Sequence, residues 1–134
     1  MRQPNNSEIV KTVLDLLAAG DLGAATAYIS DDFICREAAS LPYAGEYRGK
    51  QGFRDLGADL ATTWNDFGFK IHMIFGDGEH VSVIETIWGK VAGKPWQMPV
   101  IEVWKLRDGK VLEVTPYYHD AGPLGRFYEA QKKQ

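Results

Sequence analysis

His80-Val81-Ser82-Val83-Ile84-Glu85-Thr86-Ile87-Trp88-Gly89-Lys90-Val91, then Ala92-Gly93-Lys94, then Trp96-Gln97-Met98-Pro99-Val100-Ile101-Glu102-Val103-Trp104-Lys105-Leu106: this stretch decides the architecture. Two long runs rich in β-branched and aromatic residues meet at a short glycine-bearing connection, which reads as a hairpin. The pattern continues on both sides. Phe67 to Phe75 reads as a strand closed by Gly76-Asp77-Gly78, and Val111 to Asp120 as a strand entered through the two-residue hairpin signal Asp108-Gly109. The four make an antiparallel meander. Strands this long exceed the usual five or six residues and must bend, so bulges are expected at Gly89, Pro99 and Pro116.

Upstream, the spacing becomes helical. Ile9, Val10, Val13, Leu14, Leu16 and Leu17 recur at helical intervals, with Asn5 and Glu8 as a capping box and Gly20 as the stop. Asp21 caps a second short helix through Tyr28. Phe33 to Glu37 reads as a short strand, and Ala38 to Gly49 as a loop broken by Pro42, Gly45 and Gly49. Gln51 to Trp64 reads as a third helix, and Pro123 suits the first turn of a closing helix through Gln131. This order predicts one α+β domain over residues 1–134, a strongly curved antiparallel sheet wrapped around three N-terminal helices. A sheet curled over helices encloses a pocket, so a cone with an open mouth is expected.

Composition narrows the partners. Fifteen Lys and Arg against eighteen Asp and Glu give a net charge of −3 without a basic cluster, which argues against nucleic acid or an anionic membrane surface. No apolar run approaches the ~20 residues of a bilayer span. Cys35 is the single cysteine, so no internal disulfide forms and the cytoplasm is the expected compartment. Four Trp, six Tyr and six Phe are many for 134 residues and suggest a ligand cavity, a large core or an oligomer interface.

Four segments carry a resemblance to a known family. They are Leu17-Ala18-Ala19-Gly20-Asp21-Leu22 followed by Ile29-Ser30-Asp31-Asp32-Phe33, then Pro42 to Gly49, then Gly76-Asp77-Gly78-Glu79-His80-Val81, and finally Asp108 to Val111 followed by Tyr117-Tyr118-His119-Asp120. In order and spacing they resemble the SnoaL-like polyketide cyclase and ketosteroid isomerase branch of the nuclear-transport-factor-2-like superfamily. The resemblance implies a cystatin-like cone. Fold alone does not give function, because this one hosts isomerases, cyclases, dehydratases, epoxide hydrolases and plain binding modules.

Single residues must therefore be weighed. Period two puts Met98, Val100, Glu102 and Trp104 on one strand face. A carboxyl among such neighbours has a raised pKa, because burial disfavours its charged form, and can take up or return a proton. Facing outward, Glu102 would be an ordinary solvated residue; one acid in an apolar face favours the cavity. The resemblance gives Glu102 the position of an oxyanion-binding Asp and Asp120 that of an acid/base Asp. Asp120 has an alternative, since it precedes a helix start and could stabilise that terminus. His119 has the opposite parity, so it and Asp120 cannot both face the pocket of a regular strand. Glu85 shares parity with Val81, Val83 and Ile87, which turns it inward beside Glu102; a bulge at Glu85 would turn it outward, and the reading leans that way.

Tyr43, Tyr47 and Tyr28 are candidate hydrogen-bond donors at the pocket mouth, and Trp64, Trp88, Trp96 and Trp104 candidate walls; Tyr47, Tyr43, Trp64 and Trp104, with Tyr118, Met98, Val100, Glu85 and His119, make up the expected substrate contacts. Two departures from ketosteroid isomerases argue against steroid chemistry. Val13 stands where they carry a helical Tyr, and Glu37-Ala38-Ala39 follows the first strand where they carry the base. The Arg-Asp-Arg arrangement of limonene-type epoxide hydrolases is not evident. Neither spaced metal ligands nor a phosphate loop is present, so no metal and no cofactor are expected. The expected function is a cofactor-free lyase, isomerase or cyclase transferring a proton on a small apolar, aromatic or polyketide-like ring compound. Asp120 and Glu102 share the acid and base roles, and Tyr47 and Tyr118 orient the substrate. The alternatives are a non-catalytic ligand-binding or assembly module and an epoxide hydrolase. Ile101, Val103 and Trp88 make a homodimer through the outer sheet face plausible.

Overall fold

The first hydrophobic repeat folds, in the computed structural model of the chain, as helix α1 (Asn6–Ala18), burying Ile9, Val10, Val13 and Leu14. The structure describes residues 4–133, Asp77 by its backbone only. Asn5 caps α1 by accepting from the Glu8 backbone N–H at 2.9 Å, satisfying one of the donors a helix start leaves unpaired. Asp21 does the same for α2 (Leu22–Thr26), accepting from the Ala24 N–H at 3.0 Å. The chain then runs through β1 (Ile29–Glu37), β2 (Gly45–Arg48), α3 (Gly49–Thr63), β3 (Asn65–Asp77), β4 (His80–Val91), β5 (Lys94–Arg107), β6 (Lys110–Tyr118) and α4 (Gly122–Lys132).

The meander forms as its pattern requires. Its last two connections turn on Ala92-Gly93 and Asp108-Gly109, all four residues at positive φ, which matches the right-handed twist of the strands they join. The six strands lie in the order β2-β1-β6-β5-β4-β3, a curved sheet that does not close on itself. Three features depart from the sequence reading. The segment expected to be all loop contains β2, which pairs antiparallel with β1 from Ile34↔Arg48 to Glu37↔Gly45. The sheet is not wholly antiparallel, because β1 runs parallel to β6 through Ile34↔Glu113 and Cys35↔Val114. The bulges also fall only in part where expected, one of them at Gly89. Two residues of β3 stand opposite Gly89, and His72 is extra between Ile71↔Glu85 and Met73↔Ile84. A third irregularity leaves Leu112 extra in β6.

Neither proline makes its expected bulge. Pro99 and Pro116 sit in unbroken register opposite Thr86 and Glu102. Their missing N–H is accommodated at the neighbouring strand instead. Pro99 offers its carbonyl to the His119 N–H at 3.0 Å, and the β1–β6 ladder stops at Val114, two residues before Pro116.

Helices α1 to α3 cover the inner face. Val10, Val13, Leu14 and Phe53 pack with Phe33, Val81, Val83 and Trp104 in one core. The Phe33 and Phe53 rings meet edge to face at 5.7 Å, a favoured quadrupole arrangement. At the other end Leu124 of α4 joins Leu41, Tyr43, Trp64, Met98 and Val100 in a second core. Between the two cores the inner face is left partly unfilled.

Candidate active site

Glu102 projects from β5 with Trp104 two residues further along the same face, and the Trp104 indole N–H donates to Glu102 Oε1 at 3.0 Å. Glu85 projects from β4 with Val81, Val83 and Ile87, only 5% exposed. The bulge that would have turned it outward lies instead on the partner strand: His72 of β3 is the extra residue, and the alternation of β4 is unbroken. Register places Glu85 opposite Val100 and Glu102 opposite Val83, so the two acids are diagonal neighbours on adjacent strands, within reach for long side chains.

A third acid completes the group. Glu37 ends β1 on the face of Phe33 and Cys35 and is 8% exposed. Its Oε1 is buried without a hydrogen-bond partner. The parallel register that matches Cys35 with Val114 carries Glu37 to the level of Pro116, whose other neighbour is Glu102.

The three carboxyls line one cavity in two connected parts. The inner chamber, about 140 Å³, is bounded by Glu37, Glu85, Glu102, Cys35, Trp104 and Tyr118 on the sheet side and by Leu17, Leu22, Phe53, Leu56 and Leu60 from the helices. An outer vestibule of about 530 Å³ shares Leu17, Leu60, Phe67, Glu85, Glu102 and Trp104 with it and adds Leu14, Phe69 and Trp88. The Trp88 ring lies across Gly68, where even a methyl group would come within 2.6 Å of it.

The electrostatics follow from burial. Glu37 is pushed up to about 8, by burial first and by the charge of Glu102 second. Glu85 is pushed up to about 9 by the same two causes. Glu102 is also raised by burial, while the Trp104 N–H pulls it back by favouring the charged form. Among the described residues no Lys, Arg or His lines either chamber. No group of three or more His, Cys, Asp or Glu side chains there could hold a metal ion.

Beneath the inner chamber lies a hydrogen-bonded chain. The Tyr43 and Tyr118 hydroxyls meet at 2.8 Å, and the Trp64 indole N–H donates to the Tyr43 hydroxyl at 3.3 Å. Burial raises both tyrosines, Tyr43 to about 12 and Tyr118 well above its usual value. Tyr118 can therefore offer a proton in a hydrogen bond but does not become an anion near neutrality.

The expected contacts thus divide. Glu102, Glu85, Trp104 and Tyr118 line the cavity. Tyr43, Trp64, Met98 and Val100 face inward but are packed into the second core rather than open to the chamber. Tyr47 is not in the cavity: its hydroxyl proton is shared between the Tyr43 carbonyl at 3.0 Å and Asp59 Oδ2 at 2.8 Å, beside an outer groove of β2 and α3. Asp120 and His119 are exposed and line neither chamber. The parity that would have carried Asp120 inward ends at Tyr118, where β6 stops and the chain turns toward α4. The sequence reading passed over Glu37 as a candidate, although its period-two relation to Phe33 and Cys35 was there to be used.

Comparison with known proteins agrees with the fold. A family model described as a SnoaL-like domain matches residues 10–114. An NTF2-like protein from Burkholderia thailandensis is 26% identical, with a TM-score of 0.82 over 100% of this chain and 99% of that one. TerC, co-crystallised with polyporic acid, is 16% identical with a TM-score of 0.79, covering 91% of this chain and 96% of that one. A protein of ketosteroid isomerase-like fold from Catenulispora acidiphila, in complex with trimethylamine, is 16% identical with a TM-score of 0.72 over 83% and 85% of the two chains. No curated protein matches the chain.

Proposed function

The chain belongs to the SnoaL-like domain family, and within it we propose a cofactor-free enzyme of the lyase, isomerase or cyclase kind. It transfers a proton next to a carbonyl or hydroxyl of a small, largely apolar ring compound. The observation that carries this reading is the placing of three carboxyls, one of them with an unpartnered buried oxygen and none facing a cationic side chain, on the wall of one apolar cavity. Glu102 is the base, since the Trp104 N–H favours its ionised form. Glu37 and Glu85, held protonated by burial and by the charge of Glu102, are the acids that return the proton or donate to a developing oxyanion. Tyr118, joined to Tyr43, is the hydroxyl donor of the inner chamber. Asp120 has no part in this scheme, because it stands outside the cavity.

Two similar folds were solved with small molecules, polyporic acid and trimethylamine, which is in keeping with a small-molecule ligand. The two chambers together fall in the ~300–1,000 Å³ range of small-molecule sites. The buried free thiol of Cys35 fits a reducing compartment, and we assign the cytoplasm.

Carboxyl-carbon NMR titration of Glu37, Glu85 and Glu102 tests the reading without a substrate. Titration well above the ordinary glutamate range supports an acid–base site. Ordinary titration of all three sinks it and leaves a binding module. With any compound that is turned over, Glu102→Gln should lower the rate about 10²–10⁴-fold.

A further inference from the structure

The cavity contains charge chemistry that the protein itself does not complete. Glu37 Oε1 is buried and has no partner. Arg36, next to it in β1, points to the other face and pairs with Glu113 at 3.4 Å. The other titratable groups on the inner wall are Cys35 of β1 and Tyr118 of β6, and burial raises both. The helices contribute only apolar side chains there, and β3 contributes Phe67. A buried carboxyl without a compensating partner costs free energy in either protonation state. Glu37 without a partner, with Glu85 and Glu102 on the same wall and no Lys, Arg or His lining it among the described residues, marks a place where a positive charge would be stabilised.

Among the described residues no group of three or more acids, Cys or His converges closely enough to hold a metal ion, so the charge is not a metal ion's. A broad, weakly hydrated cation that touches several walls fits instead, and aromatic faces add to its attraction. Resting on the assignment of this cavity as the substrate site, we propose that the ligand carries a tertiary or quaternary ammonium group, seated among Glu37, Glu85 and Glu102 and against the rings of Phe67 and Trp104.

A consequence for the chemistry follows. An arriving cation favours carboxylate over carboxylic acid, so one proton leaves to solvent as the complex forms. Glu37, whose Oε1 has no partner and whose titration is raised to about 8, is the carboxyl that gives it up. The charge of the substrate thereby adds a second carboxylate beside Glu102 in the complex.

Choline and its uncharged isostere 3,3-dimethylbutan-1-ol separate charge from shape. Both are titrated into the intact chain by calorimetry between about pH 6 and about pH 8, in two buffers of different ionisation enthalpy. Choline should bind with release of about one proton and gain about tenfold in affinity per pH unit, while the alcohol binds more weakly and without pH dependence. Absence of choline binding, choline affinity that is flat with pH, or alcohol binding as tight as choline would each overturn the proposal. Carboxyl titration of the same sample distinguishes the two failures. Raised titrations with no preference for choline end the ammonium assignment alone, whereas ordinary titrations end the acid–base reading with it.

Discussion

Replacing Glu37 by glutamine keeps the size of a buried side chain and removes its proton equilibrium. In the folded protein Glu37 titrates near 8 against an ordinary 4.5, so between those values the folded chain holds a proton that the unfolded chain has lost. Stability is therefore full below about pH 4.5, falls as pH rises through this window, and reaches its floor above the folded value. Each such carboxyl contributes a slope of about 1.4 kcal/mol per pH unit. Urea unfolding between about pH 5 and about pH 8 should show this decline in the wild type and a slope shallower by about that amount in Glu37→Gln. An unchanged slope would mean that Glu37 is ionised where it lies. Trp104→Phe tests the opposite sign at the neighbouring acid. It removes the N–H held at 3.0 Å from Glu102, and hydrogen bonds to charged groups are worth about 1.5–3 kcal/mol. The Glu102 titration should then move up by about one to two pH units; movement downward or none would remove Trp104 from the electrostatics of the site.

Elements hold these residues at a distance. Helix α4 packs so closely on the β1–β2 connection that a methyl group on Gly125 would fall on the Ser40 carbonyl. Backbone on both sides leaves little to yield, so Gly125→Ala should cost about 1–3 kcal/mol. It should also speed amide exchange in α4 before the sheet opens, because Leu124 anchors α4 in the core that contains Tyr43 and Trp64. A thermal midpoint and an exchange pattern equal to wild type would show that the contact relaxes freely. The same scale explains what the chain made legible. Glu102 could be read because its own strand supplies the apolar alternation and both strand ends are marked. Glu85 was ambiguous because the deciding bulge is at His72, on a different strand. Tyr47 was misplaced because β2, a four-residue edge strand between glycines, exists only through its pairing with β1. Asp120 was misplaced because strand parity was carried two residues past the end of β6. Tertiary pairing decides all three, and local pattern does not contain it.

The whole molecule presents a second face, turned away from the cavity. Register aligns Met73, Ile84, Ile101 and Tyr117 in one row across β3, β4, β5 and β6. Met73 is 54% exposed, Ile101 44% and Tyr117 60%, with Phe75 also open on a neighbouring row. An apolar row across four strands is more than scattered surface hydrophobics, and patches of this kind mark association surfaces. The chain should therefore form a homodimer that buries this face, of the order of 1,200–2,000 Å² in total if stable. A twofold pair would bring each Ile101 near the partner's copy of the same row, since such an interface is self-complementary. Ile101→Lys then sets like charges against each other in a dehydrated seam and should give monomers at concentrations where the wild type sediments as a dimer. The substitution lies on the face opposite Glu102, so the carboxyl titrations should not move with it. Wild-type chain sedimenting as monomer at micromolar concentration refutes the pairing. A dimer that survives Ile101→Lys places the interface elsewhere.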